Sequence, residues 1–377
     1  MILIYTDSQI QDLEWVPRLQ FPQEYKIVHS EKEYIDQSAD YKIAITTHRL
    51  HCDWLDENCA AYQGFEEKII RLSNASNLVF TLESELHHYH WTIWDQCHRP
   101  NVYWLQPGAV NDRPNIQSNI IFWGDWFKTT TTVYKDPEVI PVIEQYRPYQ
   151  TKPRYFDALL GSPKPHRDFV ANAVKQHGLD NKFILTYGGN WDDNVFYAKD
   201  YFIWEPNTEM IESGPGTMGY VKFHGHLCHL SQVIPTAVFN DTAYSIVAET
   251  DHDNTLSFFS EKTAKPMIYK RLFIVFSGYK FLHNLRALGF KTFDGIIDES
   301  YDLIQDDTAR YSAAFEQVRW LCTQDQQTIY NQIYDILEHN YSLIMNTDWT
   351  MYSIDRVQQQ INKLFVGTQD QPTVDEL

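Results

Sequence analysis

The sequence predicts an α/β protein with two Rossmann-like domains and helices at its C-terminus. Short apolar segments alternate with segments whose apolar residues recur every three or four positions, which is typical of a parallel sheet with helices packed on it. The chain has 377 residues, which is long for one hydrophobic core and sufficient for two. Prolines interrupt the pattern between residues 136 and 153, so we expect a linker there.

The composition indicates a folded, acidic protein with reduced cysteines. Hydrophobic residues make up 43% of the chain, which includes 24 tyrosines and 21 phenylalanines. The formal net charge of -19 disfavours non-specific binding to duplex DNA, because phosphate contacts need clustered lysine and arginine. The five cysteines are scattered and odd in number, which argues against a disulfide framework. No apolar run is long enough to span a bilayer and no signal-peptide pattern is present, so we expect a cytoplasmic protein.

The first predicted domain covers residues 1–135. A helix is expected over residues 65–72, where Phe65, Ile69 and Leu72 share one face. Six apolar segments are predicted to be strands: residues 2–5, 25–29, 42–46, 77–81, 102–105 and 120–123.

The second predicted domain covers residues 154–346 and opens with a strand at residues 155–160. A loop rich in glycine and proline follows and ends at Arg167, before a helix at 168–176 and a strand at 183–187. This order is typical of a turn that faces a phosphate, because a helix N-terminus offers free N–H groups and the positive end of its dipole. A helical pattern runs from Arg310 to Asn346.

The C-terminal part of the chain is expected to leave the second domain. An amphipathic helix at residues 347–365 is predicted to return to the first domain, and the polar tail at 366–377 is predicted to be disordered.

The stretch from Tyr244 to Asp302 contains the strongest functional pattern. An apolar strand ends in Glu249, a polar loop leads to Ser260-Glu261-Lys262, and a second apolar strand follows at residues 272–276. Ligands of parallel sheets bind at the carboxyl ends of strands, which is where these charged residues fall.

Pro266 bears on where the helix of this stretch begins. A helix that starts at Glu261 would enclose the proline and lose a backbone hydrogen bond. We therefore expect the helix to begin near Lys265, with Pro266 in its first position.

The order of Glu249, Ser260-Glu261-Lys262, helix and second strand resembles the donor-binding half of GT-B glycosyltransferases. The resemblance is to the alpha-1,3-fucosyltransferase type and to phage-encoded glycosyltransferase-like proteins, and it covers roughly residues 153–320. It implies two domains that face each other across a cleft. It also implies that the acidic residue of the Glu261-Lys262 pair holds ribose hydroxyls of a sugar nucleotide while the lysine meets its phosphates.

Five residues are therefore predicted to bind the donor. Arg167 and Lys262 are expected on the diphosphate, with Lys164 or Lys265 as helpers, because fixed cations stabilise a departing phosphate. Glu249 and Glu261 are expected on ribose or sugar hydroxyls, since a carboxylate accepts two hydrogen bonds, and Ser260 belongs to the same motif. The alternatives are that Arg167 is a surface residue and that Glu261 only favours a helix N-terminus.

A general base is expected in the loop after the fourth strand, where the sequence reads TLESELHHYH. An inverting transferase needs one group to take the proton of the acceptor hydroxyl. Glu85 is the first choice and His87 the second, with Glu83, Asp7 and His48 as further candidates. A solvated loop with ordinary carboxylates explains the pattern equally well.

Two groups of histidines raise the question of a metal. One lies between His224 and His229 and includes Cys228, and the other lies between His87 and His90. Neither spacing matches a zinc template, and the family resemblance implies no metal or cofactor. The sequence also lacks dinucleotide-binding, Walker and nucleophile-elbow motifs, which disfavours dehydrogenase, kinase and hydrolase functions.

The resemblance, together with these candidate residues, thus implies an inverting, metal-independent glycosyltransferase that uses a nucleotide sugar as donor substrate. The acceptor is predicted to be either a glycan or a hydroxymethylated DNA base, the latter in host cytoplasm if the protein is phage-encoded. The alternative is a non-catalytic carbohydrate-binding protein with a relic fold, for which the abundant aromatic residues would suit stacking on sugar rings.

Overall fold

The structure is a computed structural model that describes residues 1–7, 15–48, 60–83, 97–111, 119–187, 205, 207–211 and 220–366. Its strands are β1 (Ile2–Thr6), β2 (Tyr25–Val28), β3 (Tyr41–His48), β4 (Leu78–Glu83), β5 (Val102–Gln106), β6 (Gly108–Val110), β7 (Ile120–Phe122), β8 (Arg154–Leu160), β9 (Phe183–Tyr187), β10 (Thr208–Met210), β11 (Tyr220–Phe223), β12 (His226–His229), β13 (Thr242–Ala248), β14 (Leu256–Phe258) and β15 (Phe273–Phe276). Its helices are α1 (Glu31–Asp36), α2 (Ala60–Ala75), α3 (Asp125–Tyr134), α4 (Ile140–Glu144), α5 (Pro165–Gln176), α6 (Thr236–Asp241), α7 (Glu261–Ile268), α8 (Phe281–Ala287), α9 (Asp307–Leu321), α10 (Gln326–Asn346) and α11 (Trp349–Val366).

The chain divides into two compact units, each built on a parallel sheet. The first unit comprises Met1–Asp125 with Asp348–Leu377, and the second comprises Trp126–Thr347. The predicted fold class, α/β with two Rossmann-like parts and C-terminal helices, is confirmed. The predicted linker region, 136–153, contains the short helix α4.

The sheet of the first unit has the strand order β2-β1-β3-β4-β5-β7, and every pairing in it is parallel. One face of this sheet carries a hydrophobic cluster that includes Ile4, Ile45 and Phe80. Ile354 and Val357 of α11 are buried in the same cluster, so the last helix packs in the core of the first unit. The predicted tail beyond this helix, residues 367–377, lies outside the described residues.

The sheet of the second unit has the order β15-β13-β8-β9 and is also parallel. Its strands are buried along most of their length, as the apolar runs predicted. Arg271, just before β15, is fully buried and bonds to Asp157 of β8 at 2.6 Å and to Ser245 of β13 at 3.0 Å. The ion pair and the hydrogen bond of Arg271 together link β8, β13 and β15.

The helical pattern at residues 310–346 is divided into α9 and α10. The division falls at Asp325, whose side chain accepts a hydrogen bond from the backbone N–H of Thr328 at 2.8 Å. A capping aspartate satisfies an otherwise unpaired N–H of the second helix and fixes its start.

A three-stranded antiparallel sheet, β10-β11-β12, was not predicted from the sequence. Its second hairpin turns at His224 and Gly225, both of which have positive φ, at 48° and 82°. Positive φ at both central residues is the mark of a type I′ turn, which favours glycine. The glycine within the histidine group is therefore a turn residue.

Candidate functional site

The candidate site lies at the carboxyl edge of the second sheet, between β8 and β13. From β8 the chain continues to β9 on one side, and later strands β13 and β15 extend the sheet on the other side. The sheet therefore has its topological switch point between β8 and β13, where open α/β sheets bind ligands. The segments that follow these two strands contain Arg167, Glu249 and the start of α7.

Arg167 is a buried link between the ends of the two central strands. It lies in the first turn of α5, which begins with Pro165 in its first position. Its guanidinium donates to the carbonyl oxygen of Ser162 at 3.0 Å and to that of Glu249 at 3.1 Å, and only 4% of the residue is exposed. Burial lowers the pKa of Arg167, although the nearby carboxylates of Glu249 and Glu261 oppose this effect. The guanidinium donates mainly to carbonyl oxygens of the protein, and its predicted contact with a diphosphate stays a prediction.

Two ammonium groups converge on Thr250, the residue after Glu249. Lys164 Nζ donates to the Thr250 carbonyl oxygen at 2.5 Å, and Lys262 Nζ donates to the Thr250 hydroxyl at 3.0 Å. Lys164 comes from the loop after β8, whereas Lys262 lies in the first turn of α7. The Lys262 side chain is 24% exposed. The fold thus brings two ammonium groups together at the switch point, one of them on a side chain that solvent reaches.

Glu249 is fully buried and its carboxylate is occupied by protein donors. It accepts hydrogen bonds from the Ser260 N–H at 3.2 Å, the Ser260 hydroxyl at 2.6 Å and the Thr250 N–H at 3.1 Å, as well as from the Thr263 hydroxyl. These bonds fasten the start of α7 to the end of β13. These protein donors surround the carboxylate of Glu249, and its predicted contact with ribose or sugar hydroxyls stays a prediction.

Helix α7 begins at Glu261, so the expectation of a start near Lys265 is wrong. Ser260 is its N-cap: the hydroxyl accepts from the Lys262 N–H at 3.2 Å while it donates to Glu249. Pro266 lies inside the helix. A capping side chain held by a buried carboxylate fixes the helix start against the penalty of an internal proline.

Glu261 and Lys262 form an ion pair with unequal exposure. Lys262 Nζ lies 2.7 Å from Glu261 Oε1, and the Glu261 side chain is only 2% exposed. Burial raises the pKa of Glu261, but the ammonium groups of Lys262 and Lys265 outweigh it and lower that pKa to about 2. Lys265 itself donates to the Ser231 carbonyl oxygen at 2.8 Å, so its ammonium is directed to the protein.

A stacked histidine pair borders the same edge and was not singled out as a pair from the sequence. The rings of His166 and His252 lie 4.9 Å apart at an angle of 21°. His166 Nε2 lies 2.8 Å from the Glu249 carbonyl oxygen, which requires a proton on Nε2. Burial and the adjacent Arg167 lower the pKa of His166 well below its usual range. Thr250 was also missed, because a single hydroxyl after a strand gives no periodic signal.

The predicted catalytic residues Glu85 and His87 lie outside the described residues, as does the rest of 84–96. Of the further candidates, Asp7 follows β1 and is bonded within the protein. Its carboxylate accepts from Lys68 Nζ at 2.6 Å, from the Thr47 N–H at 3.0 Å and from the Thr46 hydroxyl. The lysine and these hydrogen bonds outweigh burial and lower the pKa of Asp7, so the carboxylate is ionised at neutral pH.

The histidines between His224 and His229 make separate contacts. His226 Nε2 lies 3.1 Å from an Asp136 carboxylate oxygen, and the His229 ring packs on Tyr220 at 4.0 Å between centroids. Within the described part of the chain, no group of histidine, cysteine and acidic side chains is arranged to hold a metal ion. The group at His87–His90 lies outside that part.

Comparisons with known proteins leave the family open. Neither a family model nor a curated protein matches the sequence. Among solved structures, the chain is similar to the crystal structure of UDP-GlcNAc 2-epimerase from Neisseria meningitidis bound to UDP-GlcNAc, with 10% identity, a TM-score of 0.31 and coverage of 97% of this chain and 100% of that one. A likeness with that TM-score supports no inference about this chain. No helix in the described ranges combines the length and apolar character needed to cross a membrane.

Proposed function

We propose that the protein is a glycosyltransferase that binds the diphosphate of a nucleotide sugar at the switch point of its second unit. The observation that carries this proposal is the convergence of Lys164 and Lys262 on Thr250 at the carboxyl edge of a parallel sheet. Two ammonium groups beside a helix N-terminus provide the charge and N–H groups that a pyrophosphate needs. The half-buried position of Lys262 leaves its ammonium within reach of a ligand.

The residues around the two lysines have distinct proposed roles. Lys262 and Lys164 bind the phosphates and stabilise the charge on the departing nucleotide, which makes transfer independent of a metal. Arg167 and Glu249 position these lysines, because they join the loop after β8 and the start of α7 to the end of β13. Glu261 holds the Lys262 side chain through their ion pair.

The chemistry proposed at the sugar is an inverting displacement. Glu85, or His87 in its place, takes the proton of the acceptor hydroxyl as that hydroxyl attacks the anomeric carbon and the nucleoside diphosphate leaves. The acceptor is a glycan or a hydroxymethylated DNA base, and the formal charge of -19 favours the glycan because it opposes an electrostatic grip on DNA.

The test is a calorimetric titration of the purified protein with UDP, GDP and dTDP and with the corresponding nucleotide sugars. We expect one nucleotide family to bind and Lys262→Ala to weaken that binding by about 10- to 100-fold, the value of one or two charged hydrogen bonds. Lys270→Ala is the matched control, since Lys270 pairs with Glu338 and has no place at the switch point.

Turnover separates transferase from binding protein. Release of nucleoside diphosphate in the presence of glycan acceptors supports the proposal, and glucosylated or otherwise modified nucleosides in digests of treated DNA would identify a DNA acceptor. Binding of sugars without turnover of any donor would favour the non-catalytic alternative. If neither the natural protein nor Lys262→Ala bound any of the nucleotides, the proposed site would be overturned.

A further inference from the structure

A row of polar side chains crosses the sheet of the first unit on the face opposite its hydrophobic cluster. Thr46 of β3 pairs in register with Thr81 of β4, which pairs with Trp104 of β5. Side chains at paired positions of neighbouring strands share a face. The hydrophobic cluster uses the alternate residues Ile45, Phe80 and Leu105, so the row lies on the other face of the sheet.

The two threonines of this row differ in their hydrogen bonding although both are fully buried. The Thr46 hydroxyl donates to the Asp7 carboxylate, which Lys68 neutralises. The Thr81 hydroxyl has no hydrogen-bond partner among the described residues. An unpaired buried hydroxyl destabilises a folded protein by about 1–3 kcal/mol, and a ligand that bonded to it would remove this cost.

Gln106 provides a second and independent sign of the same kind. It is the last residue of β5 and is fully buried, and neither its amide nitrogen nor its amide oxygen has a partner within the described ranges. Because Thr81 pairs with Trp104, Gln106 lies one strand over and two residues further along the same face. Strand spacings place the Cα atoms of Thr81 and Gln106 about 8 Å apart, which a glutamine side chain can span in part.

We infer that Thr81 and Gln106 are the binding groups of a ligand subsite in the first unit that takes hydroxyl groups of a neutral carbohydrate. A hydroxyl and an amide each donate and accept, which matches sugar hydroxyls. The nearby charges of Asp7 and Lys68 neutralise one another at 2.6 Å, so the row offers no net charge to an anionic group. The identification of this carbohydrate as the acceptor rests on the proposed function, whereas the subsite itself does not.

The burial of both side chains predicts slow binding. A ligand reaches them only after neighbouring residues move aside, and binding that requires a conformational change is slower than binding to an open site. We therefore expect slow association with methyl glycosides, measured by surface plasmon resonance without any nucleotide present.

The test compares the same substitution at paired positions of two neighbouring strands. Thr81→Val and Gln106→Met remove polar atoms that have no partner and keep most of the volume, so we expect an unchanged or higher Tm in the free protein. The same variants weaken binding of a panel of methyl glycosides by at least about tenfold, the value of one lost hydrogen bond to a site that needs it. Thr46→Val removes a bond to Asp7, so it lowers Tm by several degrees.

Four outcomes would overturn the inference. A fall in Tm for Thr81→Val as large as that for Thr46→Val would show that the Thr81 hydroxyl is bonded in the folded protein. Equal binding of glycosides by the natural protein and by both variants, or no binding of any of them, would remove the subsite. Preference for 5-hydroxymethyl-2′-deoxycytidine over every glycoside would replace the carbohydrate with a nucleobase. None of these results depends on whether the second unit binds a nucleotide.

Discussion

Two ion pairs in the second unit differ in how far solvent reaches their cations. The Arg271–Asp157 pair has side-chain exposures of 0% and 4%, whereas the Lys262–Glu261 pair has 24% and 2%. In both pairs the carboxylate is buried, so the difference lies in the cation. Arg271 is enclosed before the amino end of β15, and Lys262 is partly exposed at the carboxyl edge.

The bonding of each cation explains this difference. Arg271 donates to Asp157 and Ser245 and also to the carbonyl oxygens of Phe239, Thr242 and Tyr244, so its guanidinium is used on all sides. Lys262 donates to Glu261 and Thr250. A planar group with five N–H donors suits a closed interior site, while an ammonium on a flexible stem suits a site that must meet a ligand. Accessibility of the cation, more than the presence of an ion pair, therefore marks the candidate site.

The largest effect is expected from removal of the closed cation. Arg271→Met leaves Asp157 buried without its charge partner, which destabilises a protein by about 3–5 kcal/mol. Urea unfolding of the whole protein, monitored by circular dichroism, measures this loss. Lys270→Met at the neighbouring position is the control, because the Lys270–Glu338 side chains are 24% and 34% exposed and such pairs contribute about 0–1 kcal/mol. Similar losses for the two variants would contradict the contrast.

A smaller effect is expected at the open pair and appears in acid. The folded chain lowers the pKa of Glu261 from 4.5 to about 2, so the ionised carboxylate stabilises the fold above its unfolded pKa. That contribution is lost as the pH falls from 4.5 through about 2. Glu261→Gln is therefore less stable than the natural protein near neutral pH, and the gap between them narrows in acid. Urea titrations at a series of acidic pH values test this, and a constant gap would contradict the assigned charge.

The strands of both parallel sheets could be predicted from the sequence, but the local geometry of the candidate site could not. Continuous apolar runs predicted the parallel strands because such strands are buried on both faces. The predicted start of α7 was wrong, because the local preference of proline puts Pro266 in the first position of a helix. In the structure, the hydrogen bond from Ser260 to the Glu249 carboxylate fixes an earlier start. Arg167 also donates to the carbonyl oxygens of Ala248 and Glu249, which only the pairing of β8 with β13 brings near it. The pairing of distant strands leaves no mark in a local window of residues.

Lys152 is a further buried cation near Arg271, but its ammonium donates to oxygen atoms that carry no formal charge. Lys152 Nζ donates to the Arg147 carbonyl at 2.7 Å and, more weakly, to the Asn240 side chain at 3.5 Å, and the residue is 7% exposed. Burial, with repulsion from Arg271 and Arg147, lowers its pKa from 10.5 to about 8.

The sign of the resulting pH dependence follows from proton counting. Between about pH 8 and 10.5 the unfolded chain retains a proton on Lys152 that the folded chain has released, so the free energy of unfolding rises with pH across this window. Below about pH 8 both states are protonated and the folded state bears the full penalty of a buried charge. Lys152→Met removes this titration, so its unfolding free energy rises less than that of the natural protein between about pH 7.5 and pH 10. Urea unfolding of both proteins at the two ends of that pH range tests this. Parallel changes in their unfolding free energies would mean that Lys152 keeps its proton in the folded protein. Carbonyl oxygens would then stabilise a buried ammonium as well as the Asp157 carboxylate stabilises Arg271.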